Sequence, residues 1–363
     1  MVARLRLADD AVVSAPRIAV VLPPRETFTL TKSGAVALCA RDFTRFSRFA
    51  ERIDVFGAGP CQYDDVPYCP LTGWRRWWRR DRDAYAKAVA EAAADHALIE
   101  VQNRPHMMAK LRLWLPRAKL ALHLHNDPEE MQGSRTPAER ARLVEVCDAV
   151  YCVSEFIRDR FLAGAADPEG KAVVIPNGAS LPALCGEKAR IIAYTGRLIA
   201  AKGVAELLRA FAAADLAGWR LVLAGGDPEG LMARLAPLAA NVEWRGQVSH
   251  AEAMALLARA EIAAAPSIWD EPFARAAVEA MAQGAALIAS RRGALPEVCG
   301  DAALYVEPAD IAGFAQAMRR LTDDESLRRR LQAAGRARVA QRFEIGEATA
   351  RLDAMRASLL GEA

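Results

Sequence analysis

The sequence has no uncharged run approaching the ~18 residues that a membrane-crossing helix needs. Its first ten residues, MVARLRLADD, lack the apolar segment of an export signal. A cytoplasmic chain that is neither exported nor membrane-spanning is therefore expected. Cysteine is sparse: seven residues, at 39, 61, 69, 147, 152, 185 and 299, form no C-x-x-C pair and have no histidine at zinc-finger spacing, so a disulfide framework and a zinc module are both excluded. The cysteines read as reduced, mostly buried small hydrophobes. A strong charge of either sign is missing too, since 48 basic and 45 acidic residues leave only +3. That balance argues against nucleic acid as a partner and makes any basic function local. No internal repeat or low-complexity tract is present.

What is there is a soluble composition, 53% hydrophobic and 26% charged, on 363 residues, enough for two domains with separate cores. Short apolar runs alternate with helix-length segments from end to end. RIAVVL (17–22), ALIEV (97–101), KLALHLH (119–125), 148–153 and KAVVIP (171–176) read as strands of a first domain. Runs near 190–194, 219–224, 241–245, 261–265, 285–289 and 302–306 read as strands of a second. Thr136 to Glu139 and Ser249 to Glu252 are capping boxes that start helices, and Ser154 caps another. Such alternation predicts parallel βαβ units throughout.

The most informative stretch is WDEPFARAAVEAMAQG, residues 269–284. Pro272 suits a first helical position, which puts Glu271 before the helix and Glu279 two turns inside it. The amides of Phe273, Ala274 and Arg275 would then be free to meet a phosphate or sugar oxygen. AEIAAAP before this stretch and AALIAS after it read as buried strands, so both acids fall at the carboxyl end of a parallel sheet, where open α/β sheets bind ligands.

E-P-F-x(5)-E-A-M-A-x-G, followed by S-x-x-G-x-x-P-E at Ser290, Gly293, Pro296 and Glu297, resembles the donor-site signature of family four glycosyltransferases. YTGRLIAAK (194–202), Gly203 and VLAGG (222–226) extend the match through the C-terminal half. Ala274 departs from the glycine many members carry, and Ala294 from the second glycine of a common pair. The resemblance implies an α/β protein of two facing Rossmann-like doubly wound domains, the GT-B fold, with the active site in the cleft between them. Residues 1–180 would form the acceptor-side domain and 181–345 the nucleotide-sugar domain, with a last helix, about 346–363, packing back on the first. The helices expected at the end run from Asp323 to Phe343 and from Gly346 to Leu360, polar on most faces.

The implied activity is retaining, metal-independent transfer of a hexosyl group from a UDP- or GDP-linked sugar to a glycan or lipid-linked acceptor, in cell-surface polysaccharide, lipopolysaccharide or glycolipid synthesis. No cofactor and no metal are expected. On the donor side the resemblance assigns Arg197 and Lys202 to the diphosphate, Glu279 to the ribose hydroxyls, and Glu271 with the amides of Phe273, Ala274 and Arg275 to sugar hydroxyls; Gly196, Gly225 and Gly226 complete that pocket. His125, at a strand end, matches the family's mid-domain histidine. The acceptor side is expected to use Arg25, Lys32, Gly34, Asn103, Arg104, Asn126 and Asp127. No acid or base is identifiable opposite the leaving group. The D-x-D of Asp81 and Asp83 sits among arginines at a helix start, which suits a helix N-terminus better than a metal cage. A sugar-nucleotide epimerase of the same fold, a phosphorylase with a Schiff-base lysine and a catalytically silent sugar-nucleotide-binding partner remain the alternatives.

Two segments carry local basic charge. A helix read from Ala35 to Arg52 lines up Arg41, Arg45, Arg48 and Arg52 on one face, opposite Cys39, Phe43, Phe46 and Ala50. Further on, Trp74, Arg75, Arg76, Trp77, Trp78, Arg79 and Arg80 interleave the residue types of a headgroup-level contact. Together they predict peripheral attachment to an anionic membrane surface, the inner face of the cytoplasmic membrane, or to an anionic lipid-linked acceptor.

Overall fold

The computed structural model describes residues 15–72, 83–184, 186–235 and 239–362. The segment 73–82, with Trp74 to Arg80 and Asp81, lies outside the described residues.

A first parallel sheet is built from β1 (Ile18–Val21), β2 (Ile53–Gly57), β3 (Tyr68–Pro70), β4 (Leu98–Gln102), β5 (Lys119–Leu124), β6 (Ala149–Cys152) and β7 (Ala172–Val174), in the order β3-β2-β1-β4-β5-β6-β7. A second comprises β8 (Ala189–Thr195), β9 (Arg220–Ala224), β10 (Val242–Trp244), β11 (Ala260–Ala265), β12 (Ala286–Ser290) and β13 (Ala303–Val306), in the order β10-β9-β8-β11-β12-β13. The central strands are buried on both faces, which is why they read as continuous apolar runs rather than alternating ones. Each sheet changes winding direction once, between β1 and β4 and between β8 and β11. Open sheets of this kind bind ligands outside the carboxyl ends at those points.

The first domain's helices are α1 (Ala35–Arg45), α2 (Ala84–Ala92), α3 (Met108–Trp114), α4 (Pro137–Val146) and α5 (Glu155–Leu162). Those that follow are α6 (Val204–Ala214), α7 (Leu231–Arg234), α8 (His250–Arg259), α9 (Arg275–Ala282), α10 (Leu295–Cys299), α11 (Ile311–Asp323), α12 (Glu325–Arg342) and α13 (Ile345–Leu360). Both capping boxes form in full, at Thr136 and Ser249, and Ser154 accepts from the Ile157 amide. The helix expected from Asp323 to Phe343 runs from Glu325 to Arg342, because Asp323 still ends α11 and the Asp324 side chain takes the Leu327 amide to cap α12.

After α12 the chain returns to the first domain. Ala179 pairs with the 343–345 segment, its amide donating to the Phe343 carbonyl at 2.8 Å, and α13 then packs on α1 and β4. This return is fixed by polar groups as well as apolar ones. Arg356 is buried and bridges Glu100 on β4 and Asp353 on its own helix, while Asp353 accepts from the Ser47 hydroxyl at 2.7 Å and the Arg48 amide at 2.8 Å. The expectation that α13 is polar on most faces is corrected accordingly.

The same contacts shorten the first helix. The expected helix to Arg52 ends at Arg45, because Asp353 offers the 47–48 segment an acceptor outside the helix, and a separate 3₁₀ turn covers Ala50–Arg52. The four arginines therefore do not share a helical face. Arg41 and Arg45 both meet Asp65, and Arg41 also lies 4.2 Å from the Tyr63 ring centre. Arg52 meets Glu362 and the Pro16 carbonyl. Arg45 and Arg48 are exposed. Among the described residues no helix is long and apolar enough to cross a membrane.

Candidate functional site

The carboxyl ends of the two sheets face each other across a cleft of about 540 Å³. Its walls are the segments after β1, β5, β8, β9 and β11 together with the start of α9. The domains are joined beside it. Ser154 donates to the Pro272 carbonyl at 2.6 Å, Arg160 bridges Asp127 and Asp270, and the first amides of α5, Glu155 and Phe156, donate to the Glu297 carboxylate at 2.8 and 3.1 Å. Glu297 thus serves as an anion for a helix N-terminus in the other domain.

The turn between β11 and α9 differs from the sequence expectation. Pro272 is not in the first helical turn; α9 begins at Arg275, and Ala274 is its N-cap with φ 64°. An alanine in this left-handed conformation costs roughly 1–2 kcal/mol, which glycine would avoid. The position is therefore one where the backbone, not the side chain, sets the requirement. Glu271 is 5% exposed and is held by Lys202 and the Ser267 hydroxyl. Gly293 presses on it from behind: a Cβ there would lie 2.3 Å from the Glu271 nitrogen, and the Ala294 amide donates to the Glu271 carbonyl at 2.8 Å. The S-x-x-G-x-x-P-E segment is in this way a support for Glu271 through Gly293 and a domain clamp through Glu297.

Glu279, 8% exposed, points into the same cleft from the second turn of α9. Its Oε1 accepts from Arg275 Nε at 2.7 Å and meets His250 Nε2 at 2.8 Å. Burial opposes its charge, but the Arg275 guanidinium and the His250 bond overcome this and hold its pKa below the usual glutamate range. Oε2 takes no hydrogen bond among the described residues.

Three basic side chains among the described residues line the cleft: Arg197, Lys202 and Arg275. Lys202 is neutralised by Glu271 and lies 5.2 Å from the Trp269 ring centre, while Arg275 is matched by Glu279 and Asp42. Arg197 alone of the three has no ion-pair partner among the described residues, so the uncompensated positive charge of the cleft sits there. Gly196, Gly225 and Gly226 form the floor beside it. Gly225 has φ 152°, and a Cβ on it would come within 1.8 Å of the Gly196 carbonyl oxygen, so the two loops touch through backbone alone.

Across the cleft, His125 caps β5. Its Nε2 lies 2.7 Å from Gln102 Oε1 and its amide donates to Asn103 Oδ1 at 2.8 Å. Burial is the main cause that lowers its pKa to about 3, with His123 and Arg275 adding to it, so the ring is neutral at pH 7. The His123 ring lies parallel to it, centres 6.1 Å apart.

Of the residues expected on the acceptor side, Gly34 and Asn126 line the cleft; Arg25, Lys32, Asn103, Arg104 and Asp127 do not. Asn103, at φ 52°, instead holds the His125 backbone, and Arg104 binds the Asn103 carbonyl at 2.7 Å. Asp127 caps the turn at Pro128–Glu130 and pairs with Arg160. These polar residues follow strand ends, as cleft residues do, but their side chains turn back to fix the loops.

Glu26, Asn177, Gln247, His250, Ser267 and Trp269 also line the cleft, and none of their side chains was assigned a role from the sequence. Glu26 matters most, because it places a half-buried acid in the wall of the cleft formed by the loop after β1. It accepts from the Gly34 amide at 3.0 Å, and burial raises its pKa above the usual glutamate value, against the opposing pull of Arg104 and Arg197. The only signal for it was its loop position after β1. Asp83, of the D-x-D pair, meets Lys110 at 3.1 Å and does not line the cleft. Among the described residues no three His, Cys, Asp or Glu side chains come together as a metal site.

Residues 184–338 match the family described as glycosyl transferases group 1. The chain is similar to an MMP alpha-(1->4)-mannosyltransferase of Mycolicibacterium hassiacum, 39% identical over 163 residues that make up 42% of this chain and 39% of that one. It is also similar to the uncharacterized glycosyltransferase YqgM of Bacillus subtilis, 31% identical over 257 residues, 63% of this chain and 68% of that one. The stretch shared with the mannosyltransferase is thus well under two thirds of that protein's length. In fold, the chain is similar to Anabaena HepE crystallised with UDP and glucose, with a TM-score of 0.77 at 18% identity over 94% of this chain and 100% of that one.

Proposed function

The chain belongs to the group 1 glycosyltransferases, and on that premise we propose that it moves a hexosyl group from a nucleoside-diphosphate sugar to a hydroxyl acceptor, with retention of anomeric configuration and without a metal ion. The observation that carries this is the pairing, in one cleft, of two buried carboxylates, Glu271 and Glu279, with the unpaired guanidinium of Arg197. A diphosphate leaving group needs positive charge where its oxygens develop negative charge, and sugar and ribose hydroxyls need acceptors. Arg197 and the amides that open α9 supply the first; Glu279 and Glu271 supply the second. Neutral His125 faces them from the other domain as a hydrogen-bonding group for the donor sugar. The UDP and glucose seen with HepE support a nucleotide-sugar donor of this kind.

Attachment to an anionic membrane surface belongs to the same proposal: Arg48 is exposed, and Arg45 is exposed although it pairs with Asp65. Sedimentation with anionic vesicles that weakens at high salt supports this attachment, and equal sedimentation with neutral vesicles removes it.

The experiment that tests the function is a thermal-shift screen with uridine, guanosine and adenosine diphosphates, followed by a transfer assay with the sugar forms of the base that binds. Binding to the native state raises the melting temperature by mass action. A chain that no nucleoside diphosphate stabilises does not have the proposed donor site.

A further inference from the structure

Arg275 lies on the first turn of α9 and reaches in three directions. Its Nε donates to Glu279 Oε1 at 2.7 Å, its Nη2 to Asp42 Oδ2 at 2.7 Å, and its Nη1 to Cys39 Sγ at 3.2 Å. Asp42 and Cys39 belong to α1, in the other domain. The Arg275 side chain is 9% exposed, that of Asp42 17%. Arg275 and Glu279 line the cleft, whereas Asp42 and Cys39 do not.

We propose that Arg275 is a positioning residue that couples the nucleotide site to domain closure: Asp42, outside the cleft and in the opposite domain, keeps Glu279 free to accept the ribose hydroxyls. The proposal rests on the donor-site role given to Glu279 above. A guanidinium beside a single carboxylate favours the two-point arrangement that engages both oxygens. Here it does not do so. Asp42 draws Nη2 away, Cys39 Sγ takes Nη1, and only Nε remains on Glu279 Oε1. His250 bonds the same oxygen, at 2.8 Å, so both contacts leave Oε2 to the cleft. Without the Asp42 charge, Arg275 turns its fork onto Glu279 and takes Oε2 from the ligand. Coupling of this kind is reciprocal, so a ribonucleotide that occupies Oε2 strengthens the Asp42–Arg275 bridge and the closed form.

The test is calorimetry on the full chain with whichever nucleoside diphosphate the wild type binds, compared with its 2′,3′-dideoxy analogue. Asp42→Asn is expected to weaken the ribonucleotide about tenfold, the scale of one charge-assisted hydrogen bond, and the dideoxy analogue less than about twofold. Equal affinity in variant and wild type overturns the proposal. Equal loss for both ligands also overturns it, since that marks general damage to the interface. If Asp42→Asn does not fold, Arg275→Lys is read in the same way, because a point charge cannot bridge both carboxylates. A wild type that binds no nucleoside diphosphate instead defeats the reading of the cleft, before the variant is consulted.

Discussion

Arg356 and Glu100 stand 256 positions apart and meet as a two-point ion pair, Nε and Nη2 each 2.8 Å from a carboxylate oxygen, with both side chains 1% exposed. The last helix of the chain therefore completes the charge balance beneath the middle of the first sheet. From Glu100 the line of buried groups runs on through His123, 3.5 Å from its Oε2, to the His125 ring that lines the cleft.

Loss of one partner leaves the other charged and buried. Arg356→Met should lower unfolding free energy by about 3–5 kcal/mol, whereas Arg356→Met with Glu100→Leu should lose much less. Urea unfolding of the three proteins measures this. A double variant as damaged as the single one would show that packing, not charge, sets the cost.

Acid should destabilise the fold in two overlapping steps. The Arg356 guanidinium holds the Glu100 pKa far below its ordinary value of 4.5, so this pair's contribution is whole above 4.5 and is lost progressively as pH falls below it. His125 has the pKa of a buried neutral ring, about 3 against an ordinary 6.5, so the unfolded chain gains a proton first and stability falls between 6.5 and 3. Denaturant midpoints at pH 4, 5.5 and 7 should rise in that order, and His125→Asn should flatten the rise above pH 4.5. An unchanged slope in that variant would assign the acid sensitivity elsewhere.

Catalysis should depend on Arg197 and not on a metal. Arg197→Ala should cost at least ~2.7 kcal/mol of barrier, as when one preorganised charge stabiliser is lost, and transfer should persist in a chelator. Activity that disappears in chelator and returns with magnesium or manganese would require an ion in place of this charge arrangement.

A variant at Glu26 tests the stereochemistry of transfer. Under retention the product keeps the donor's anomer, and Glu26→Gln changes kcat by less than about tenfold. A general base for direct displacement is worth ~10²–10⁴-fold. An inverted product, with a loss of that size in Glu26→Gln, would make Glu26 the base and overturn retention.

The alternation of strands and helices, the two capping boxes and the cleft positions of Glu271 and Glu279 were legible in the sequence, because each depends on local pattern or on a loop after a parallel strand; the cleft positions of Arg197 and His125 were implied by the family resemblance. The end of α1 was not. Ala35 to Arg52 has a sound helical period, and only Asp353, more than 300 positions later, stops it. Side-chain direction was equally hidden. Asn103 and Asp127 follow strand ends just as Asn126 does, yet they bond backwards into their own loops. Lys202 reads as a free cation on spacing alone, and its neutralisation by Glu271 appears only when β8 and β11 are set side by side. Glu26 belongs to a loop with no diagnostic residue, and its raised pKa in the cleft follows from burial by the fold.

The return of α13 to the first sheet also sets an order of events on the ribosome. Glu100 on β4 is translated first, and its counter-charge follows 256 residues later. At ~5–20 residues per second the wait is roughly 13–50 s. A first domain that folds within that interval holds Glu100 without its Arg356 partner, with His123 beside it. It reaches its native charge state only after the second domain has left the exit tunnel.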